Sequence, residues 1–404
     1  MQALVGAGWL LCLTFSCGLA AGRGESAAEP VRWLQPDKNL ARSAAVVVPE
    51  ASLIFTGQIW PEVANRTGPR SVAEETKSAL NHLEKELRQT GLHLSDVVKL
   101  NVHLTDAPSR GAVEGVLAKT FSEGHYPAVS FVGGVSAASA FQISMDAVAA
   151  RPASKGAFTQ IMAAPKPATG ERTFAELPKG TKLFISGMAD TNDLPLAAVK
   201  TMEKLEGALK HFEAGRDDIV QLRIFLEPMS QSAAVREAII RFFQGNAPPM
   251  IFIEWISPKP NPPIEIELVA KGKAPPAGEK DSIQFITPPG TTSTKTFSRV
   301  ARVNHGPLIF ISELTGPPGG DGNSQVRSIY SQLREITRLA GSDFEHLVKA
   351  VYYVSDDDAS NKLNDLRLEY YNPQKPPAAS KAKVKSLCSP GRTVMIDMIA
   401  AGKD

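Results

Sequence analysis

The chain has 404 residues, a formal charge of +2, and 43% hydrophobic and 7% aromatic side chains. That length exceeds one ordinary core and suits three domains of roughly 120 residues. So weak a charge, with no basic run interleaved with aromatics, gives no electrostatic footprint for nucleic acid or an anionic membrane.

From Gln2 to Ala21 no side chain is charged, and Trp9-Leu-Leu-Cys-Leu-Thr-Phe15 forms an apolar centre. Small residues follow at Gly18-Leu-Ala20 and Ser26-Ala-Ala28. This pattern predicts a signal peptide and leader over residues 1–28 and hence an exported chain, periplasmic or secreted. An uncleaved membrane anchor is the alternative, because the run approaches the ~20 residues that a span requires. Cys12 and Cys17 fall in the leader, so Cys388 stands alone downstream and predicts neither an internal disulfide nor a cysteine metal site.

Residues 30–152 form a first unit. Ala44 to Thr56 is rich in Val, Ile and Ala and is broken at Pro49-Glu50, which predicts a hairpin. Ser71 and Glu74 then make a capping box for a helix. Its apolar face is Val72, Thr76, Ala79, Leu80, Leu83 and Leu87, and Gly91 is its stop. The strand Val97–Leu104 follows, then a second helix ending near Phe121, the phrase Tyr126-Pro-Ala-Val-Ser-Phe, and a last strand Ile143-Ser-Met-Asp-Ala-Val-Ala.

The same order returns twice. Residues 156–272 carry Leu183-Phe-Ile-Ser-Gly-Met, a helix from Pro195 with Val199, Met202, Leu205 and Leu209 inward, and the strand Ile219–Leu226. They close with a helix ending near Phe243, Pro248-Pro-Met-Ile-Phe, and Ile264-Glu-Ile-Glu-Leu-Val-Ala. A Pro/Gly/charge linker occupies 273–280. Residues 281–404 repeat the series through Leu308-Ile-Phe-Ile-Ser-Glu, a helix over Ser324–Gly341 with Val326, Ile329, Leu333 and Ile336, and the strand Leu347–Val354. They end with a helix to Tyr371, Pro376-Pro-Ala-Ala-Ser, and Val394-Met-Ile-Asp-Met-Ile-Ala. The interval from motif proline to strand acid is 19, 19 and 20 residues. Three drifted copies of one domain stand in tandem, each α+β: hairpin, helix, strand, helix, two strands. Two amphipathic helices on one face of a mixed sheet bury both stripes and leave the other face needing a cover.

The phrases Ile54-Phe-Thr-Gly-Gln-Ile, Asp96-Val-Val-Lys-Leu-Asn-Val-His-Leu-Thr-Asp and Tyr126-Pro-Ala-Val-Ser resemble the RidA family, also called YjgF or L-PSP. Leu347-Val-Lys-Ala-Val-Tyr-Tyr-Val-Ser-Asp adds to the likeness, which covers nearly all the chain after the leader. The resemblance implies a chorismate-mutase-like fold and a homotrimer with helices outside and ligand clefts between subunits. Three copies in one chain then imply an intrachain pseudo-trimer, monomeric as a chain. Beads on a string is the alternative.

Active members of that family hydrolyse enamines and imines with an arginine just after the Pro-Ala, whose fork grips a carboxylate. The matching positions here are Val129, Met250 and Ala379, so the clamp is missing from all three copies. The resemblance assigns the water-positioning acid to Asp146, Glu267 and Asp397. It assigns the loop glycine to Gly57 and Gly187, with Glu313 in the third copy. Lys381, Lys383, Lys385 and Arg392 are candidates for a replacement clamp or a solvated loop.

Nothing else suggests cofactor or metal chemistry. His82, His93, His103, His125, His211, His305 and His346 have no ligand spacing, and Gly316-Pro-Pro-Gly-Gly-Asp-Gly lacks the ending of a phosphate loop. The expectation is a pseudo-trimer that binds a small metabolite or a partner at its inter-domain clefts. An imine deaminase of altered substrate range is the alternative, and a ribonuclease the second.

Overall fold

The computed structural model describes residues 30–62, 70–133, 141–151, 168–257, 262–275 and 277–403. The leader lies outside these, and among the described residues no helix is long and apolar enough to cross a membrane.

Repeat one contributes β1 (Arg32–Asp37), β2 (Arg42–Val48), β3 (Leu53–Thr56), α1 (Val72–Arg88), β4 (Val97–Leu104), α2 (Arg110–Thr120), β5 (Ala128–Gly133) and β6 (Ile143–Ala150). Repeat two contributes β7 (Phe174–Leu177), β8 (Lys182–Asp190), α3 (Leu196–Lys210), β9 (Ile219–Leu226), α4 (Ser232–Phe242), β10 (Met250–Glu254) and β11 (Ile264–Lys271). Repeat three contributes β12 (Ile283–Ile286), β13 (Val300–Val303), β14 (Leu308–Thr315), α5 (Gly322–Ala340), β15 (Leu347–Val354), α6 (Asp357–Tyr370), β16 (Ala378–Lys383) and β17 (Val394–Ala401).

The helices form where the pattern places them. Ser71 and Glu74 make both bonds of the capping box, and Thr76, Ala79, Leu80, Leu83 and Leu87 are buried. Val199 is only half-buried on α3, where Ala197 and Ala198 take the inward positions. Gly341 caps α5 at φ 82°, the left-handed geometry that glycine adopts without a Cβ penalty, and its N–H bonds the Thr337 and Arg338 carbonyls.

The three sheets run β7-β3-β6-β4-β5, β12-β13-β8-β11-β9-β10 and β1-β2-β14-β17-β15-β16. In each, the last pair is parallel and the rest are antiparallel. No sheet belongs to one repeat. The opening strand of repeat two lies on β3 of repeat one, β13 of repeat three lies on β8 of repeat two, and β2 of repeat one lies on β14 of repeat three.

The exchange therefore closes a cycle, and it corrects one expectation. Ala44–Thr56 does divide at Pro49-Glu50, yet its halves do not pair with each other: β2 joins the third sheet and β3 the first. Alternation specifies which side of a strand is buried, and it is equally satisfied by either neighbour.

Each sheet buries one face under its own two helices. The other faces meet in a single apolar cluster containing Val46, Phe55, Val148, Phe184, Val269 and Phe310, drawn from all three sheets. That shared core is the cover the second faces need.

Candidate functional site

The three acids sit on the central strands β6, β11 and β17, directly opposite Asn101, Arg223 and Val351. Strand alternation sends Leu100 and Val102 under the helices and Lys99 and Asn101 to the inner side, and the other repeats follow. All three carboxylates thus arrive in the buried interior between the sheets rather than in a cleft. Asp146 accepts from Asn101 Nδ2 at 2.8 Å and faces His103 Nε2 at 2.7 Å. Asp397 accepts from Lys99 Nζ at 2.6 Å and from Ser130 Oγ at 3.1 Å. Glu267 lies 2.7 Å from Lys349 Nζ.

One guanidinium stands among them. Arg223 approaches Glu267 at 3.5 Å, Asp146 at 3.9 Å and Asp397 at 3.9 Å. Burial alone would raise the Asp397 carboxyl, but the Lys99 ammonium and Arg223 outweigh it and hold it below the usual range. Three cations balance three anions in a buried interior, the condition under which buried charge is tolerated. These acids are committed to the core.

The seams between sheets are built differently from one another. Between β5 and β14, Val129 N donates to Ser312 Oγ at 2.8 Å and Phe131 N to Glu313 Oε2 at 2.9 Å. Glu313 is buried and pairs with Arg42 at 2.9 Å and Arg110 at 2.6 Å. Its charge is neutralised internally and the seam is plugged. Between β3 and β10, Gln58 N donates to the Met250 carbonyl at 3.1 Å, and Phe252 N to Gln58 Oε1 at 3.3 Å. A side chain fills this seam too.

The seam between β8 and β16 has Gly187 where the other two carry Gln58 or Glu313 beside the edge strand. Gly187 N donates to Ser380 Oγ at 3.1 Å. A Cβ on Gly187 would fall 2.0 Å from Glu265 Oε1, so the missing side chain is what admits that carboxyl. Glu265 is half-buried, and burial pushes it up to about 7 against the opposing effects of its Ser380 hydrogen bond and of Arg299. Arg299 is anchored by the Gly187 carbonyl at 2.6 Å and Ser186 Oγ at 3.1 Å. Gly57 has no such duty: a Cβ there would make ordinary 3.5 Å contacts.

The structure therefore redistributes the residues taken from the resemblance. Val129 and Met250 are fully buried and point into the cores under the helices, and Ala379 packs against the third such core. Of Val129 and Met250, only the backbone edge reaches a seam. The lysine group is spoken for: Lys381 bonds Ser360 and Asn364, Lys383 bonds Asp357, and Lys385 bonds Glu254. Arg392 donates to the Gly316 carbonyl. Cys388 is buried and its thiol is pushed up to about 12, which makes it inert. Glu265 and Arg223 were the residues missed. Glu265 was legible as the residue two before Glu267 on one strand, and so on the same face.

Comparison with known proteins places this architecture. The family model described as Endoribonuclease L-PSP matches residues 37–151 and 293–402. A 2-iminobutanoate/2-iminopropanoate deaminase of Rattus norvegicus is 36% identical over 89 residues, 22% of this chain and 64% of that protein, so the match spans less than two thirds of the relative. A YjgF-family protein of Neisseria meningitidis is 23% identical, covering 30% of this chain and 96% of its own, with a TM-score of 0.23. A YjgF/YER057c/UK114-family protein of Mycobacterium tuberculosis is 24% identical, covering 26% and 86%, with a TM-score of 0.22.

Proposed function

The chain belongs to the endoribonuclease L-PSP family, and from that premise we propose that it is a pseudo-trimer made within one polypeptide, exported through its apolar leader. In this reading it binds a small polar metabolite at the seam between repeats two and three and lacks the family's arginine-dependent deamination. One observation carries it: Asp146, Glu267 and Asp397 are buried and engaged with Lys99, Asn101, His103, Arg223 and Lys349. No seam then pairs such an acid with a carboxylate-gripping arginine at Val129, Met250 or Ala379. Ammonia release from 2-iminopropanoate generated in solution should equal the buffer rate. Release well above buffer would overturn the proposal. Export is checked by sequencing the amino terminus of protein recovered outside the cytoplasm, where a start between residues 21 and 29 is expected.

A second reading is favoured by Glu265. A half-buried carboxyl raised to about 7 suits general acid–base work near neutrality. An uncharged imine would need no guanidinium, and Glu265 would move the proton of the attacking water. A panel of uncharged imines tests this: turnover lost in Glu265→Gln supports it, and silence across the panel removes it.

A further inference from the structure

The interior between the sheets contains a chamber of about 30 Å³ whose polar lining is Lys99, Asn101, Asp146, Gln221, Arg223, Lys349 and Asp397, framed by apolar side chains of all three sheets. Two atoms on this lining, Asn101 Oδ1 and Arg223 Nε, make no hydrogen bond among the described residues, and Lys349 Nζ carries three N–H groups of which the Glu267 carboxylate, 2.7 Å away, takes one. Their residues are 4%, 8% and 6% exposed, so bulk solvent does not supply the partner. An unpaired polar atom at that depth carries its full desolvation penalty. Arg223 adds a second signal. Two of its three carboxylate approaches are 3.9 Å, too long for a direct hydrogen bond and suited to a bridging molecule.

The chemistry of these atoms selects the ligand. Arg223 Nε and Lys349 Nζ donate, whereas Asn101 Oδ1 accepts, so the occupant must do both. A halide only accepts, and a metal cation takes lone pairs alone. Either would also unbalance Lys99, Arg223 and Lys349 against Asp146, Glu267 and Asp397. Among the described residues no group of three or more His, Cys, Asp or Glu side chains is placed to hold a metal. A buried water needs on the order of 10–15 Å³ of such space and two to four polar partners. We propose that this chamber is a permanent internal water site, holding about two molecules that join the Arg223 guanidinium to the carboxylates around it.

The site depends on three unlike repeats sharing one chain. Asn101, Arg223 and Val351 occupy the same position opposite the acid of each repeat. A homotrimer places the same side chain there three times, and three guanidiniums would both repel and fill the space. Here one guanidinium, one amide and one isopropyl group leave room for water.

The test uses the full chain. Its crystal structure at high resolution should show about two ordered waters within hydrogen-bond distance of Arg223 Nε, Asn101 Oδ1 and Lys349 Nζ. In solution, oxygen-17 relaxation dispersion should lose about two long-lived waters in Val351→Phe, whose ring occupies the chamber, and none in Ile399→Val. Crystals soaked in bromide should give no anomalous peak in the chamber. A bromide peak beside Lys349, or a chamber without water density, overturns the proposal. If Val351→Phe does not fold, the crystal structure of the unaltered chain decides the matter alone.

Discussion

Replacing Arg223 with methionine tests whether one guanidinium holds the interior together. The substitution keeps much of the volume and removes the charge facing three carboxylates at 3.5, 3.9 and 3.9 Å. At an effective dielectric near 20, each such pair is worth roughly 4 kcal/mol of attraction before desolvation is subtracted. Removing one partner from a buried charge cluster has a net cost of about 3–5 kcal/mol, because the partners left behind remain buried and unpaired. Asp397 gives the loss its pH dependence. Its carboxyl lies below the usual range in the folded chain, so it contributes stability above its unfolded value near ~4, and that contribution fades as pH falls through the folded value. Without Arg223 the depression shrinks. The deficit of Arg223→Met should therefore be full at pH 7 and narrow only below pH ~4, towards pH ~2. Urea unfolding at pH 7 and at pH ~2, followed by circular dichroism, reads this directly. A variant within about 1 kcal/mol of the parent at pH 7, or a deficit unchanged at pH ~2, refutes the reasoning.

Further outcomes follow from the seams and the strand exchange. Gly187→Ala should expel Glu265 from its seam, since the new Cβ would meet Glu265 Oε1 at 2.0 Å, whereas Gly57→Ala should stay within ~0.5 kcal/mol of the parent; paired thermal melts separate them. Glu265 is raised in the folded chain to about 7 from 4.5, so the fold binds the extra proton and stability should fall as pH rises through that interval. Glu265→Gln should flatten this slope, and a slope that persists in the variant would assign it to another group. A fragment of residues 30–151 has no β7 to cover β3 and no β14 to receive β2. It should assemble by exchanging its antiparallel β1–β2 pair between copies, so sedimentation should find oligomers, and a stable folded monomer would contradict the exchange.

The local elements were open to reading in the sequence. The Ser71–Glu74 capping box, the glycine ending α5 and the acid on each last strand all depend on residues close together in the chain, and each stands where the spacing puts it. The threefold repetition carried the α+β class as well. Tertiary structure alone decided where those elements go. Period-two alternation says that Asp146, Glu267 and Asp397 share a face with Val148, Val269 and Ile399 on their own strands, but not that three such faces close on one another and consume the charge. Nor does it say that β2 leaves β3 for a strand some 260 residues away, because a strand edge offers the same N–H and C=O ladder to any partner. Side-chain pattern is a local property of the chain, whereas the choice among chemically equivalent edges and faces is made only by closing the whole cycle.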